Sequence, residues 1–324
     1  MLKTLFNMFK NQEHSDQYRL AQKAFAEHRY FEAVALFRTC LAMEDALTDE
    51  GYAKLTAAYY NLGLYSAAAQ TLAKAGKGVA GQLAAEIRAS SGKGDVGLQS
   101  ISHHTYIRLK LLAAYIRNLY GENLAAVSIL DVGGGAGYLA CFLPDARYVL
   151  AEPTVNNISA FDLPFKEKSF DCVLASHVFE HIEDDRKSVF LDNLCNVAKS
   201  HVLLVNPFVS GDKYLDEIAE KALGLIWEIT QAPWALEHIE CGTPPLDLVR
   251  DYTNEHGYSL NILPNNSYIF TLLYVFMEYF ANVAGKYDEF KKINQVFNGL
   301  DAKLMANPLF PNDFTCDIDV RARK

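Results

Sequence analysis

The stretch Ser128-Ile129-Leu130-Asp131-Val132-Gly133-Gly134-Gly135-Ala136-Gly137-Tyr138 decides the fold of this chain. An apolar strand runs into an acid, and glycines then occupy alternate positions. Glycine lacks a Cβ atom, so such a turn bends sharply and lets a ligand contact bare backbone. The helix expected after the turn offers unpaired N–H groups that suit a ligand carboxylate or phosphate. The stretch therefore predicts a nucleotide-like site at the carboxyl end of a parallel strand.

The acid and the alternating glycines also resemble the first motif of the class I S-adenosylmethionine-dependent methyltransferases. The residues that carry this resemblance are Asp131, Gly133, Gly135 and Gly137. The resemblance implies that these four residues bind S-adenosylmethionine.

A dinucleotide-binding pattern overlaps the same turn. Residues 135–140 satisfy G-x-G-x-x-G/A, which is typical of nicotinamide and flavin sites. In that fold the first glycine directly follows the strand, and in the frame that starts at Gly133 the third fingerprint position is Tyr138. If only the glycine pattern is considered, an NAD-dependent oxidoreductase is therefore an alternative.

Length, composition and charge limit the classes of function. At 324 residues, with half of them apolar, the chain is long enough for a domain of about 200 residues plus a smaller one. The net charge of −9 argues against a nucleic-acid groove, which needs surplus Lys and Arg to displace phosphate counterions.

The six cysteines include no C-x-x-C pair and are typical of free thiols in a reducing compartment, so we predict a cytoplasmic protein. Residues 1–10 carry scattered apolar residues without a continuous apolar core. We expect no secretory signal there; a terminal helix docked on its own protein is favoured over a short membrane-surface helix.

Residues 16–90 are rich in alanine and aromatic residues at helical spacing. Residues 30–34 and 65–69 align at an offset of 35 residues, and this period resembles tetratricopeptide repeats. The repeats predict either a groove for a protein partner or a helical cap on the catalytic domain. The glycine-rich residues 91–97 read as a linker, so we predict an all-α helical-repeat domain over 1–95 and a second domain over 96–324.

Strand and helix patterns alternate after the linker, which predicts an α/β fold with a parallel sheet and helices on both faces. Strand candidates are 127–132, 147–152, 171–176, 201–207, 258–263 and 314–320. This layout resembles the Rossmann-like seven-stranded methyltransferase sheet, with insertions at about 208–243 and 268–311. The second insertion opens with a strongly apolar run, too short and too interrupted for a membrane span. It predicts a pocket lid that packs on its own core, or the interface of a homodimer.

The resemblance assigns four further residues to the cofactor. Glu152 follows the second strand, where a carboxylate can accept hydrogen bonds from both ribose hydroxyls of an adenosyl group. The Leu-Pro-Phe segment that begins at Leu163 resembles the one flanking adenine in small-molecule methyltransferases, with Asp162 as the candidate adenine contact. Ser176 ends the following strand and is assigned to the cofactor as well. The short gap from Glu152 to Leu163 predicts a truncated intervening helix.

Two histidines follow that strand. Residues 177–181 read H-x-x-E-H, a zinc-protease pattern, which we reject because the same residues fit the segment of the methyltransferase layout that faces cofactor and substrate. A hydroxyl acceptor needs a base, so His181 and His177 are the candidate catalytic residues. Glu180 and His181 also resemble the acid-His segment of some quinone O-methyltransferases, which leaves a metal role for these two residues open. The sequence identifies no further ligand, so we predict no metal.

The first insertion carries aromatic and polar residues that would cover the substrate side of the pocket. Trp234 and His238 are the candidate substrate contacts, because aromatics with polar neighbours suit a sugar or an aromatic ring. The sequence thus predicts an S-adenosylmethionine-dependent methyltransferase, with O-methylation of a small molecule or glycan as its reaction. A non-catalytic scaffold or sensor that uses the helical repeats is the alternative.

Overall fold

The computed structural model describes residues 16–44, 47–75, 79–90, 95–209, 211–299, 311 and 313–321. The predicted terminal helix over 1–10, most of the linker and the end of the second insertion lie outside the described residues. Each statement below that something is absent concerns the described residues.

Six strands form one sheet in the order β2-β1-β3-β4-β6-β5. They are β1 (Ser128–Val132), β2 (Arg147–Ala151), β3 (Phe170–Ser176), β4 (Ala198–Asn206), β5 (Ser259–Asn265) and β6 (Asp313–Asp319). The pairs β1/β2 and β3/β4 are parallel, whereas β6 runs antiparallel to both β4 and β5. The α/β sheet is confirmed, and every strand candidate in the sequence is a strand. The count of seven is corrected to six in the described part of the chain, because it came from the resemblance and not from the apolar patterns.

Fourteen helices accompany the sheet in the described ranges. They are α1 (16–26), α2 (Tyr30–Glu44), α3 (Asp49–Asn61), α4 (Tyr65–Leu72), α5 (Gly81–Ser90), α6 (His103–Tyr120), α7 (Leu139–Phe142), α8 (Pro153–Asn156), α9 (Lys187–Val197), α10 (Lys213–Thr230), α11 (Pro233–Cys241), α12 (Leu246–His256), α13 (Tyr268–Val283) and α14 (Tyr287–Asn298). Side-chain caps begin several of them: the Asp212 carboxylate accepts from the N–H groups of Tyr214 and Leu215 at 3.0 and 3.2 Å.

The chain divides into two compact units, and the first unit comprises residues 1–98 and 120–159. In it α2 packs against β2 and α7. Residues 33–40 are all buried, so α2 is covered around its whole circumference by the neighbouring helices and the strand. Helices α2 and α4 begin at the two tyrosines that the repeat pattern aligned. The tetratricopeptide-like repeat and the domain boundary at residue 95 stay predictions.

Gly137 marks the closest approach of α2 to the glycine turn. Its φ is +71°, and a Cβ at this position would collide with the Cβ of Ala35 on α2. We expect Gly137→Ala to lower the free energy of unfolding by about 2 kcal/mol, from left-handed backbone strain and overpacking together. Gly135→Ala adds similar strain without the collision and should cost about 1 kcal/mol.

Urea unfolding of a double-mutant cycle isolates the collision. In an Ala35→Gly background, Gly137→Ala should cost no more than Gly135→Ala does. An undiminished cost in that background would show that α2 does not press on the turn.

The second unit comprises residues 99–119 and 160–324. The first insertion forms α10 and α11, and the described part of the second forms α13 and α14. Helix α13 packs against α10 and α14. Its Leu273, Phe280 and Val283 are nevertheless 47%, 56% and 69% exposed, so its role as a lid or a dimer interface stays a prediction.

No helix among the described residues is both long enough and apolar enough to cross a membrane.

Candidate functional site

The glycine turn of the first unit follows β1 directly. Gly133, Gly135 and Gly137 all have positive φ, at +71°, +53° and +71°, which side chains other than glycine adopt only with strain. The N–H of Gly133 donates to the Ala151 carbonyl at 2.8 Å, which ties the turn to the end of β2. Gly135 is exposed, and a Cβ there would meet no atom within 4 Å. The turn therefore leaves open space over bare backbone, as the sequence predicts.

Glu152 lies beside this turn at the end of β2. One carboxylate oxygen, Oε2, accepts from the Gly135 N–H at 3.0 Å. The other accepts from the backbone N–H and the hydroxyl of Thr154 at 3.1 and 2.7 Å, which caps α8. Glu152 is only 8% exposed and is held in one orientation by these donors. The structure thus brings Glu152 and the glycine turn together.

Asp131 supports the turn from beneath. It is 3% exposed, and its Oδ2 accepts from the Tyr148 hydroxyl at 2.7 Å. Burial raises the pKa of the Asp131 carboxyl to about 7; the Tyr148 hydrogen bond opposes that shift and the charge of Glu152 adds to it. A direct contact between Asp131 and a cofactor stays a prediction.

The other cofactor candidates lie in the second unit. Asp162 is exposed and Leu163 is half-buried. Ser176 ends β3, and its buried hydroxyl has no hydrogen-bond partner among the described residues, so it could bond a ligand. Helix α8 has only four residues, as the short spacing from Glu152 to Leu163 predicts.

A cavity of about 840 Å³ opens within the second unit. Its lining includes all the candidate catalytic and substrate residues: His177, His181, Trp234 and His238. His104 and Arg108 of α6 also line it. Sequence reasoning missed both, because α6 is an ordinary amphipathic helix whose pattern does not reveal which residues face a cavity.

Glu180 is 2% exposed and lies close to three histidines of the cavity lining. Its Oε2 accepts from the Asn206 amide at the end of β4. The Nδ1 atom of His177 lies 3.2 Å from Oε1, and the Nε2 atom of the same ring lies 3.1 Å from Asp313 Oδ1 at the start of β6. Asn206 and Asp313 were also missed, since each is remote in sequence from the histidines. The His177 imidazole therefore lies between two carboxylates.

His177 has an unusual backbone conformation. Its φ is +56°, in the left-handed region that costs a residue with a side chain about 1–3 kcal/mol. The position directly follows β3, and the His177 N–H donates to the Val205 carbonyl of β4 at 2.8 Å. Strain of this kind is retained where the surrounding structure needs the side chain in one place.

Helix α11 brings the substrate candidates to His181. Pro233 suits the first position of a helix, and Trp234, Glu237 and His238 then share one face. Glu237 Oε1 lies 3.1 Å from His181 Nδ1, and the rings of His181 and His238 are 5.2 Å apart. The structure thus joins the segment after β3 to the first insertion.

Two of the cavity's histidines are neutral at pH 7. Burial, with a smaller contribution from the charge of Arg108, lowers the pKa of His104 to about 3. Burial, reinforced by His177 and His181, lowers the pKa of His238 to about 4. A neutral imidazole can accept a hydrogen bond or ligate a metal ion.

Comparison with known proteins gives the class of the domain. A family model described as a methyltransferase domain matches residues 145–205, the segment from β2 to β4 that contains Glu152 and Glu180. This segment is thus similar to a methyltransferase domain. The resemblance predicted from the sequence is confirmed, and S-adenosylmethionine is confirmed as the cofactor of the class.

Particular relatives are known in sequence and in structure. Uncharacterized methyltransferases of Mycobacterium avium and Mycolicibacterium paratuberculosis are 37% identical in a segment covering 19% of this chain and 32% of theirs. The chain thus spans about a third of the length of these curated relatives. An S-adenosylmethionine-dependent methyltransferase of Archaeoglobus fulgidus is 13% identical, with a TM-score of 0.37 over 65% of this chain and 94% of its own. Magnesium protoporphyrin IX methyltransferase of Synechocystis, solved with bound SAH, is 16% identical, with a TM-score of 0.37 over 56% and 87%.

Proposed function

We propose that this protein transfers the methyl group of S-adenosylmethionine to a small-molecule acceptor bound in the cavity of the second unit. The observation that carries the proposal is the open glycine turn after β1, with the Glu152 carboxylate 3.0 Å from the Gly135 N–H. Such a turn and acid at neighbouring strand ends suit an adenosyl ligand.

The Glu152 carboxylate suits the ribose hydroxyls, but protein donors already bond both of its oxygens. Each carboxylate oxygen accepts about two hydrogen bonds. Thr154 supplies two donors to Oε1, whereas Oε2 has a single one from Gly135. We infer that one ribose hydroxyl bonds Oε2 directly and that the other replaces the Thr154 hydroxyl. Asp162, Leu163 and Ser176 are proposed contacts for the remainder of the cofactor.

The cavity suits a compact organic acceptor. Its volume of about 840 Å³ lies within the range of roughly 300–1,000 Å³ common for small-molecule sites. The Trp234 ring offers an apolar face to an aromatic or sugar ring. His238 and Arg108 offer polar contacts that fix its orientation, and an acceptor with a hydroxyl gives O-methylation.

The chemistry requires the acceptor oxygen to attack the sulfonium methyl. A C–O bond forms as the C–S bond breaks, and the electron pair of the broken bond stays on sulfur as the thioether of S-adenosylhomocysteine. The acceptor hydroxyl loses its proton to a base, for which His177 and His181 are the candidates in the cavity. The rest of the protein's contribution is to align the reactants and exclude water.

Calorimetry with the full chain tests the donor site. The wild type should bind S-adenosylmethionine and S-adenosylhomocysteine and show no heat with NAD. Glu152→Gln should weaken S-adenosylmethionine binding about tenfold, because neutral acceptors form weaker hydrogen bonds than charged ones. Glu122→Gln, an exposed acid of the same unit, should have no effect.

Three outcomes would redirect the proposal. Absence of S-adenosylmethionine binding would overturn it, and binding of NAD instead would favour an oxidoreductase. Cofactor binding without methyl transfer to any member of a hydroxyl-bearing acceptor panel would favour the sensor or scaffold alternative.

A further inference from the structure

One buried carboxylate oxygen beside the cavity of the second unit has no hydrogen-bond donor among the described residues. It is Oε1 of Glu180, whose side chain is 2% exposed. His177 Nδ1 lies within 3.2 Å but is not aligned to donate. A buried polar atom without a hydrogen-bond partner is destabilising, so this oxygen can accept a cation or a donor from outside the protein.

Two imidazole nitrogens face the same oxygen. His181 Nε2 lies 3.9 Å and His238 Nε2 3.8 Å from Glu180 Oε1. One ligand atom from each of the three residues lies within 4.8 Å of the other two. Ligands of a tetrahedral zinc ion, at about 2.1 Å from the metal, are roughly 3.4 Å apart. Small side-chain rotations would bring these atoms to that spacing.

The neighbours of the imidazoles prepare them for a metal ion. Glu237, 3.1 Å from His181 Nδ1, holds the proton on that nitrogen, so that Nε2 presents a lone pair. A carboxylate behind a histidine ligand is a common support in metal sites.

The charge around the cluster favours a cation. Glu180 and Glu237 lie within 3.9 Å of His181, and Asp313 lies 3.1 Å from the neighbouring His177. The Arg108 guanidinium acts on Glu180 and Asp313. The three carboxylates carry more negative charge than this guanidinium neutralises, which favours a divalent ion.

We propose that Glu180, His181 and His238 bind a divalent transition-metal ion in the cavity. One carboxylate and two imidazoles suit Zn²⁺, Co²⁺ or Fe²⁺ better than Mg²⁺, which prefers oxygen ligands. A bound ion could also take an acceptor hydroxyl as a ligand, which would make its proton easier to transfer to His177, the remaining candidate base. This site replaces the sequence-based prediction of no metal, and it removes His181 as a base because Nε2 would be coordinated. Metal binding stands by itself; its role in catalysis rests on the proposed function.

Cobalt titration of the EDTA-treated, dialysed full chain tests the site. Co²⁺ serves as the probe because its visible absorption reports protein ligands, and calorimetry with Zn²⁺ gives an affinity. We expect one equivalent to bind, and His238→Ala and Glu180→Gln each to weaken binding at least tenfold. His256→Ala is the matched control, since His256 Nε2 also lies 3.8 Å from a carboxylate, that of Asp192, but outside the cavity lining. It should bind the metal as the wild type does.

The outcomes separate this proposal from the methyltransferase proposal. Wild-type protein that binds no Co²⁺, or a His238→Ala variant that binds it equally well, would overturn the site. Melting curves show whether each variant is folded. If Glu180→Gln does not fold, His181→Gln replaces it as the second ligand variant. Calorimetry with S-adenosylmethionine on the metal-free protein is independent: its failure overturns the methyltransferase proposal and leaves the metal site standing.

Discussion

Gly135→Arg abolishes detectable binding of S-adenosylmethionine, with an expected loss in affinity of at least about 100-fold, or roughly 3 kcal/mol. Because a Cβ at residue 135 meets no atom within 4 Å, the added side chain enters the open space over the turn rather than the protein core. There it occupies the position where a ligand would contact the backbone and Glu152. The measurement is calorimetry with S-adenosylmethionine and S-adenosylhomocysteine.

Gly121→Arg is the matched control for this substitution. Gly121 belongs to the same unit, has a φ of +54° against +53° at Gly135, and is equally open around its Cβ position. Both variants therefore carry the same backbone strain and the same added charge, and they should melt at similar temperatures. Equal loss of affinity in the two variants would show that the glycine turn is not the cofactor site.

Arg38→Met should give the largest loss of stability, about 4 kcal/mol. Arg38 is 5% exposed on α2, and its guanidinium donates to the backbone carbonyls of Ala140, Leu143 and Ala146 around the end of α7. The Leu143 bond is 2.9 Å long. Methionine fills much of the volume but leaves three carbonyls without this donor, at about 1–3 kcal/mol each. Urea unfolding measures the change.

Arg147→Met controls for the loss of an arginine. Arg147 also donates to a carbonyl of the first unit, that of Ala42 at 2.8 Å, but its side chain is exposed and water can replace it. The expected cost is below about 1 kcal/mol. A small effect of Arg38→Met, comparable with this control, would mean that α2 does not support the segment after the glycine turn.

Local patterns predicted much of the fold. Apolar alternation located all six strands of the described chain, and the glycine turn and Glu152 meet as the motif spacing implies. These features succeed because each depends on residues close in sequence or at the ends of neighbouring parallel strands.

The composition of the cavity could not be predicted in the same way. Asn206 is 26 residues from Glu180, and Asp313 is contributed by an antiparallel strand near the end of the described chain. No sequence period links such positions. His238 illustrates the limit well: its pairing with His181 depends on how α11 packs on the segment after β3, which is decided by tertiary structure.

The burial of α2 limits how the helical segment of this chain could be deleted or replaced. Repeat helices are often exchangeable modules that are gained or lost without harm to their neighbours. Here α2 is buried on all sides, and Arg38 and Thr39 bond the backbone on either side of the helix that follows the glycine turn. Removal of the predicted repeats, residues 16–90, would expose the apolar face of β2 against which α2 packs. Substitutions in the buried face of α2 should therefore disturb β2 and the glycine turn as well.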